Sequence, residues 1–483
     1  MHQSKICTLN ETWMDVKKGD LIELTVDDLV FGARGVARQN DFVWFVEGAI
    51  PGQRIQARVL RKRKNYGEAI INEVISPGPD QITPPCPYFF NCGGCQLQHL
   101  KYEAQISAKT RQVEDIIQRL GGLTDCAVRP TLPAEQQFGY RNKMEFTFSN
   151  RRWIIQGVDE DKSIPFALGL HAPGRFDKVI DIDRCLLQSE QANQLLTDVK
   201  TLIYQTQLSP YQAKTHQGFW RFFVIREGRN THDLMMQIIS SSQAPEKGKE
   251  TIDWLMHKLF WQHLELTTVI HGISDNKAQV AFAKEEIVKL GDGRIREQIG
   301  SRIFEISSNA FFQTNTAQAE VLFNTLNELA DFSGDEVVYD LYSGTGAVAI
   351  MIADHVRRVV GIEVIPSAVE NGRRNAMLNN LDNVILLEGD MIDAIRDTQP
   401  LVRQYGQADA VILDPPRGGT HPNTIRDLLQ WKPPAIIYIS CNPPMLAKDL
   451  VLLQTAYRVD AIQPVDMFPQ TKHIEVVCVL RLK

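Results

Sequence analysis

From Asp20 to Pro77 apolar and polar residues alternate in short runs, "DLIELTVDDLVFGARGVARQNDFVWFVEGAIPGQRIQARVLRKRKNYGEAIINEVISP", broken by Gly, Asn-Asp and Pro-Gly. A period of two with frequent turns predicts a small OB-like barrel of about five short strands over 16–78, after a loose tail at 1–15. "PGPDQITPPCP" then closes the unit with proline. Ile106, Val113, Ile116, Ile117 and Leu120 return at helical spacing, and Gly121-Gly122 stops the run. A helix is expected over 102–120, packed on the C-terminal domain. From 125 to 305 the pattern is mixed, with strand-like "NKMEFTFSN", "FWRFFVIREG" and "HDLMMQIIS", which suggests a central α+β domain over 79–305. Beyond 310, "VVYDLY", "RVVGIEV", "NVILLEG", "DAVILDPP" and "AIIYISC" alternate with helical segments. That rhythm predicts an open, Rossmann-like parallel sheet over 306–483, and a multidomain α/β chain as a whole.

At 483 residues the chain has room for two to four domains. No apolar run approaches the ~18 residues of a membrane span, and the N-terminus has no signal-peptide core. A cytoplasmic protein, apart from membranes and monomeric, is expected. The net charge of -6 argues against indiscriminate nucleic-acid binding, yet Arg34 to Lys64 holds eight Lys or Arg against two acids, a local +6. That stretch is a solvated basic face or a surface that tracks phosphates. The aromatics Phe42, Trp44, Phe45 and Tyr66 are interleaved with it, and alternation puts some of them in the core, leaving one or two to stack on bases.

Eight cysteines occur, at 7, 86, 92, 95, 126, 185, 441 and 478. In a cytoplasmic chain of this length clustered cysteines read as metal ligands, and isolated ones as fillers or nucleophiles. Cys86, Cys92 and Cys95 form C-x5-C-x2-C, with Cys185 far downstream. That spacing is too lopsided for a common zinc ribbon and suits an iron–sulfur cube; zinc is the alternative. Cys441 stands where the strand "AIIYIS" ends and Asn-Pro-Pro begins.

"VVYDLYSGTGAVAIMIA" reads as strand, Gly-x-Gly turn and helix, so Gly344 and Gly346 let a ligand approach a helix N-terminus. Taken alone the loop fits a dinucleotide site equally well. Glu363, ending the next strand, can accept both ribose hydroxyls of an adenosyl ligand, and Asp390 can face the adenine edge. Asp414-Pro-Pro at the end of the fourth strand has a use in S-adenosylmethionine (SAM) chemistry and no evident one in a nicotinamide enzyme.

Several long motifs stand in one order: "PPCPYFFNCGGCQLQHLKYEAQISAK", "FEISSNAFFQTNTAQAE", "DLYSGTGAVAI", "LDPPRGG", "YISCNPPMLAKDL" and "VDMFPQTKHIEVVCVL". In this the chain resembles the RNA uracil-C5 (m5U) methyltransferases, and within them the RumA/RlmD-like 23S rRNA group; the basic barrel resembles a TRAM domain. The resemblance implies Cys441 as nucleophile and Glu475 as general base. It implies Gln313, Tyr342, Glu363, Asp390 and Asp414, with the Gly344–Gly346 loop, around SAM. It implies Cys86, Cys92, Cys95 and Cys185 as ligands of a [4Fe-4S] cluster. Gln470 departs from the family, standing where histidine is frequent. The chemistry suits these residue types: a thiolate adding at C6 makes C5 of uracil nucleophilic toward a methyl donor, and a carboxylate then removes the C5 proton. The expected activity is methylation of a 23S rRNA uridine, with a tRNA uridine or a non-catalytic RNA-binding role as alternatives. Arg141 and Lys143 are candidate phosphate contacts or salt-bridge partners. Phe311 or Phe312 is a candidate wedge beside the target base, the other being core.

Overall fold

The computed structural model describes residues 6–7, 16–39, 42–155, 165–175 and 177–483. The expected tail lies outside them, apart from Ile6–Cys7, which pair parallel with Leu21 and Ile22. Among the described residues three seven-stranded sheets and one two-stranded ribbon follow one another along the chain.

The N-terminal β-rich unit has five longer strands, Leu21–Thr25, Arg34–Gln39, Phe42–Glu47, Arg54–Lys62 and Tyr66–Ser76, with Ile6–Cys7 and Asp28–Val30 as short additions at its edges. Alternation decides the faces: Ile22 and Leu24 are buried, and Glu23 between them pairs with Arg54 at 2.9 Å. Trp44 is fully buried and lies over Gly67, where a Cβ would come within 2.1 Å of its ring. Arg34, Phe45 and Tyr66 stay on the outside, the guanidinium 4.9 Å above the Phe45 ring.

The helix Tyr102–Arg119 crosses from this unit to the C-terminal domain. Val113 and Ile117 join that domain's core. The chain then runs beside the strand Tyr457–Val465, where the amides of Arg129 and Leu132 bond to the carbonyls of Ile462 and Pro464 at 3.0 and 2.9 Å. An otherwise open sheet edge is thereby covered.

The central sheet runs Val179–Asp181, Ala167–His171, Lys143–Ser149, Trp220–Glu227, Leu234–Ser240, Thr268–Ile273, Glu285–Leu290. Every residue of Trp220–Glu227 is buried. The helices Glu190–Tyr204 and Pro245–Gln262 pack on this sheet's core through side chains such as Leu195, Val199 and Leu255. The hairpin Arg294–Ile299 and Arg302–Ser307 leads onward, but Phe304 and Ile306 pack in one core with Leu322 and Phe323 of the helix Thr316–Ala330. A boundary at 305 therefore falls inside the strand Arg302–Ser307, whose Phe304 and Ile306 share a core with that helix and with Met235 and Ile270 of the central sheet.

That C-terminal sheet comprises β1 (Val337–Leu341), β2 (Arg358–Glu363), β3 (Val384–Glu388), β4 (Ala410–Leu413), β5 (Ala435–Ser440), β6 (Tyr457–Val465) and β7 (Glu475–Leu482). Its order is β3-β2-β1-β4-β5-β7-β6. Pairing is parallel from β3 to β5, while β7 runs antiparallel between β5 and β6. The strand order reverses between β1 and β4, which opens a crevice beyond their carboxyl ends.

Candidate active site

The crevice is bounded first by the turn after β1. Tyr342, Gly344 and Gly346 have φ of 74°, 53° and 75°, a region glycine enters freely. A Cβ on Gly344 would meet nothing within 4 Å, so this turn borders open space, whereas Gly346 backs onto Leu386 at 3.0 Å. At the end of β2, Glu363 is held by two backbone amides, Gly344 at 3.0 Å and Ile365 at 2.8 Å. Asp390, after β3, accepts from the Ile392 amide at 2.8 Å. The turn, Glu363 and Asp390 thus stand at three adjacent strand ends. Tyr342 is directed toward Thr424 and His421, and burial raises its hydroxyl. Gln313 approaches from the loop before the helix Thr316–Ala330, its carbonyl fixed by Asn142 Nδ2 at 3.0 Å.

Asp414 follows β4. Burial pushes its carboxyl up to about 7. Cys441 follows β5, and the Ser440–Val476 pairing sets Cys441 across from Glu475 at the start of β7. Burial, then Glu475 and Asp414, push the Cys441 thiol up to about 11, while Arg417 opposes them. Burial and Asp414 hold Glu475 well above the usual carboxylate range, again opposed by Arg417. The Arg417 carbonyl accepts from Asn442 Nδ2 at 2.8 Å, tying the loop after β4 to the residue after Cys441. The Cys441 thiol and the carboxyls of Glu475 and Asp414 therefore act on one another at the ends of β4 and β5 and the start of β7.

The sequence reading overlooked Asp340. It is fully buried in β1, and neither of its oxygens accepts a hydrogen bond of ordinary geometry. Burial chiefly, then Asp414, push it up to about 8, with the Ala349 amide pulling the other way. In "VVYDLY" it breaks an apolar strand, and that lone polar residue was the available signal.

Cys86, Cys92, Cys95 and Cys185 line one cavity of about 530 Å³, which also reaches Arg141, Phe311, Arg417 and His473. Burial pushes Cys92 and Cys95 up to about 12, with the neighbouring thiols adding to it. The Gly94 amide approaches Cys92 Sγ at 3.4 Å, and Cys185 is fixed by Asn193 Oδ1 at 2.8 Å from its amide. Among the described residues no group of three or more His, Cys, Asp or Glu could hold a metal ion. The cysteine loop is bound to the approach to Glu475: the amides of Gln96 and Leu97 both donate to the Gln470 carbonyl at 3.0 Å. Gln105 Nε2 donates to Gln470 Oε1 at 3.0 Å, and the Gln470 amide donates to Gln105 Oε1 at 3.3 Å.

Phe312 is buried, 5.3 Å from Phe304, whereas Phe311 is 73% exposed in the cavity mouth. Lys143 pairs with Glu145 at 2.6 Å, and Arg141 Nε donates to the Lys143 carbonyl at 3.0 Å. No helix among the described residues is long and apolar enough to cross a membrane.

An antiparallel β7 between β5 and β6 departs from the all-parallel order of dinucleotide-binding folds, and the Cys441 thiol lies across from the Glu475 carboxyl at the ends of β5 and β7. The fold and site define the class of methyltransferases. The sequence pattern of the tRNA (uracil-5-)-methyltransferase family matches residues 174–483, and the chain belongs to that family. It is 37% identical over 471 residues to an uncharacterized RNA methyltransferase of Chlorobaculum tepidum, covering 95% of this chain and 96% of that protein. To another from Porphyromonas gingivalis it is 36% identical over 467 residues, covering 95% and 99%. The crystal structure of the Pyrococcus abyssi tRNA (uracil-54, C5)-methyltransferase with S-adenosyl-L-homocysteine is similar over 95% of this chain and 100% of that one, with a TM-score of 0.72 and 26% identity.

Proposed function

We propose that the protein transfers the methyl group of SAM to C5 of a specific uridine in 23S rRNA. The observation that carries the reading is Cys441 set across from Glu475 at the crevice of the sheet. The Gly344 cradle, Glu363 and Asp390 would hold the adenosyl part, with Gln313, Tyr342 and Asp414 around the rest. When bound, SAM supplies an electrophilic methyl on a sulfonium. Cys441 Sγ adds to C6 of the flipped-out uracil, and the displaced electrons form an enolate. C5 then takes the methyl. Glu475 removes the C5 proton, the C6–S bond breaks, and the thiolate leaves.

The four cysteines that line one cavity, spaced C-x5-C-x2-C with a remote fourth, support a [4Fe-4S] cluster, with zinc as the alternative. Cys86, Cys92, Cys95 and Cys185 would hold it and cross-link the loop at 86–95 to the central domain. Iron analysis and visible absorbance of anaerobically purified protein test this; Cys92→Ser should lose both signals. The half-buried Arg34 and Phe45 and the exposed Tyr66 on the basic N-terminal unit are the contacts proposed for RNA. On this reading the protein acts as a monomer.

A second reading, a tRNA uridine, is favoured by the likeness to the Pyrococcus abyssi enzyme. The deciding experiment incubates the protein and SAM with unmodified 23S rRNA and unmodified tRNA, then maps methylated positions. One 5-methyluridine in 23S rRNA is expected. Methylation of tRNA alone selects the second reading, and methylation of neither, without a covalent adduct to 5-fluorouridine RNA, overturns both.

A further inference from the structure

Arg226 carries a guanidinium into the core of the central domain. It is 2% exposed, near the end of Trp220–Glu227, a strand buried along its whole length. Glu145 is the acid that acts on it, yet Glu145 is paired with Lys143 at 2.6 Å. Among the described residues no carboxylate lies within salt-bridge distance of Arg226. A buried cation without a counter-ion is costly and persists where its donors find strong acceptors. Here one loop supplies them. Arg226 Nη2 donates to the Ala310 carbonyl at 2.6 Å and to the Ser308 carbonyl at 3.4 Å. Hydrogen bonds from a charged donor are the strong kind, so these carbonyls are firmly held. Nε has no partner of ordinary geometry, which leaves the two loop carbonyls as the acceptors the side chain is aimed at.

Ser308 and Ala310 belong to the loop that joins the strand Arg302–Ser307 to the helix Thr316–Ala330. The next residue is Phe311, 73% exposed at the mouth of the cavity that the cysteines line. The Phe311 carbonyl meets Thr345 Oγ1 at 3.4 Å, a long contact. The far end of the loop is held separately. Asn142 Nδ2 donates to the Gln313 carbonyl at 3.0 Å, and the Asn142 amide donates to the Thr314 carbonyl at 2.9 Å. The loop thus has two anchors in the central domain, one just before Phe311 and one at Gln313. We propose that Arg226 is a positioning residue for RNA: by fixing Ser308 and Ala310 it sets the backbone from which Phe311 meets the substrate base, while the Asn142 anchor holds Gln313 at the methyl-donor site. Arg226 is buried behind the loop and acts only through it. This inference rests on the RNA methyl-transfer reading above.

The test measures kcat and the KM values for RNA and for SAM, using whichever of unmodified 23S rRNA and unmodified tRNA the wild-type protein methylates. The variants are Arg226→Met, Arg226→Lys, Phe311→Ala and the double variant Arg226→Met/Phe311→Ala. Methionine fills the space without the unpaired charge, so the unfolding midpoint of Arg226→Met should stay at or above the wild-type value. Its KM for RNA should rise, by no more than the roughly 5–150-fold that a lost base stack is worth. Its KM for SAM should not move. Lysine keeps a charged donor and should restore part of the RNA affinity. In the Phe311→Ala background Arg226→Met should add nothing, because the two act through one contact. A merely structural role would lower the midpoint and raise both KM values. That result, an unchanged KM for RNA in Arg226→Met, or full additivity with Phe311→Ala would each overturn the proposal while the wild-type activity stands. If the wild-type protein methylates neither RNA, the proposed function falls and this inference falls with it.

Discussion

Lys109 Nζ lies 2.6 Å from Asp466 Oδ1, and the two side chains are 1% and 0% exposed. This pair fastens the helix Tyr102–Arg119 to the residue just after β6. Tyr102 donates to the other Asp466 oxygen at 2.9 Å, and the Asp466 carbonyl accepts from Gln318 Nε2 at 2.9 Å. A buried charge stripped of its partner costs more than the pair itself contributes. Lys109→Met should therefore destabilise the protein by about 3–5 kcal/mol, read from urea unfolding. The double variant Lys109→Met/Asp466→Leu should regain part of the loss. If the single variant unfolds at the wild-type urea concentration, the pair does not hold the domains together.

Cys441 and Glu475 should fail at different steps. Cys441→Ser removes the attacking thiol, so neither methylation nor a covalent adduct with 5-fluorouridine RNA is expected. Glu475→Gln keeps the thiol but cannot take the C5 proton. A methylated, covalent RNA–protein complex should then accumulate on ordinary substrate, with turnover reduced about 10²–10⁴-fold. Denaturing gels and intact mass read both outcomes. Adduct formation by Cys441→Ser would remove that residue from the chemistry.

The strand-end loops were open to reading from sequence because their signals are local. Gly344-x-Gly346, Asp414-Pro-Pro and Cys441-Asn-Pro each join an apolar strand to residues that forbid its continuation. Long-range geometry was not. Asp340 looks like any polar interruption until the fold sets it near Asp414, 74 positions on. The hairpin at 294–307 reads as part of the central domain, yet Phe304 and Ile306 finish the C-terminal core. Neither the covering of the β6 edge by residues near Arg129 and Leu132 nor the Gln470–Gln105 exchange leaves a local pattern.

Activity should climb with pH. Burial and the acidic neighbours Glu475 and Asp414 push Cys441 up to about 11, and burial with Asp414 holds Glu475 well above the usual carboxylate range. Each must lose a proton to act, as the thiolate is the nucleophile and the carboxylate the base. Between pH 7 and 9 the rate of adduct formation with 5-fluorouridine RNA should rise about tenfold per unit. Stability runs the other way. Carboxyls raised in the folded state, Asp340 to about 8 and Asp414 to about 7, stabilise it most at low pH, and that contribution is lost as pH rises through those values. Initial rates well below the melting temperature separate the two effects. A flat profile from pH 7 to 9 would mean that the thiolate is already formed.

Phe311 and Phe312 are adjacent in sequence and opposite in fate, one 73% exposed at the cavity mouth and the other 4% exposed against Phe304. Phe312→Ala empties a packed site and should cost about 3–5 kcal/mol of stability, seen as a lower unfolding midpoint. Phe311→Ala removes no core contact, so its midpoint should stay at the wild-type value. Its effect should fall on RNA instead: a lost base stack costs about 1–3 kcal/mol, or roughly 5–150-fold in affinity. Binding of substrate RNA by filter retention, beside thermal unfolding of both variants, reads the two quantities independently. Wild-type RNA affinity in Phe311→Ala would place the base contact elsewhere, while an unchanged midpoint in Phe312→Ala would contradict the packing of Phe304 against it.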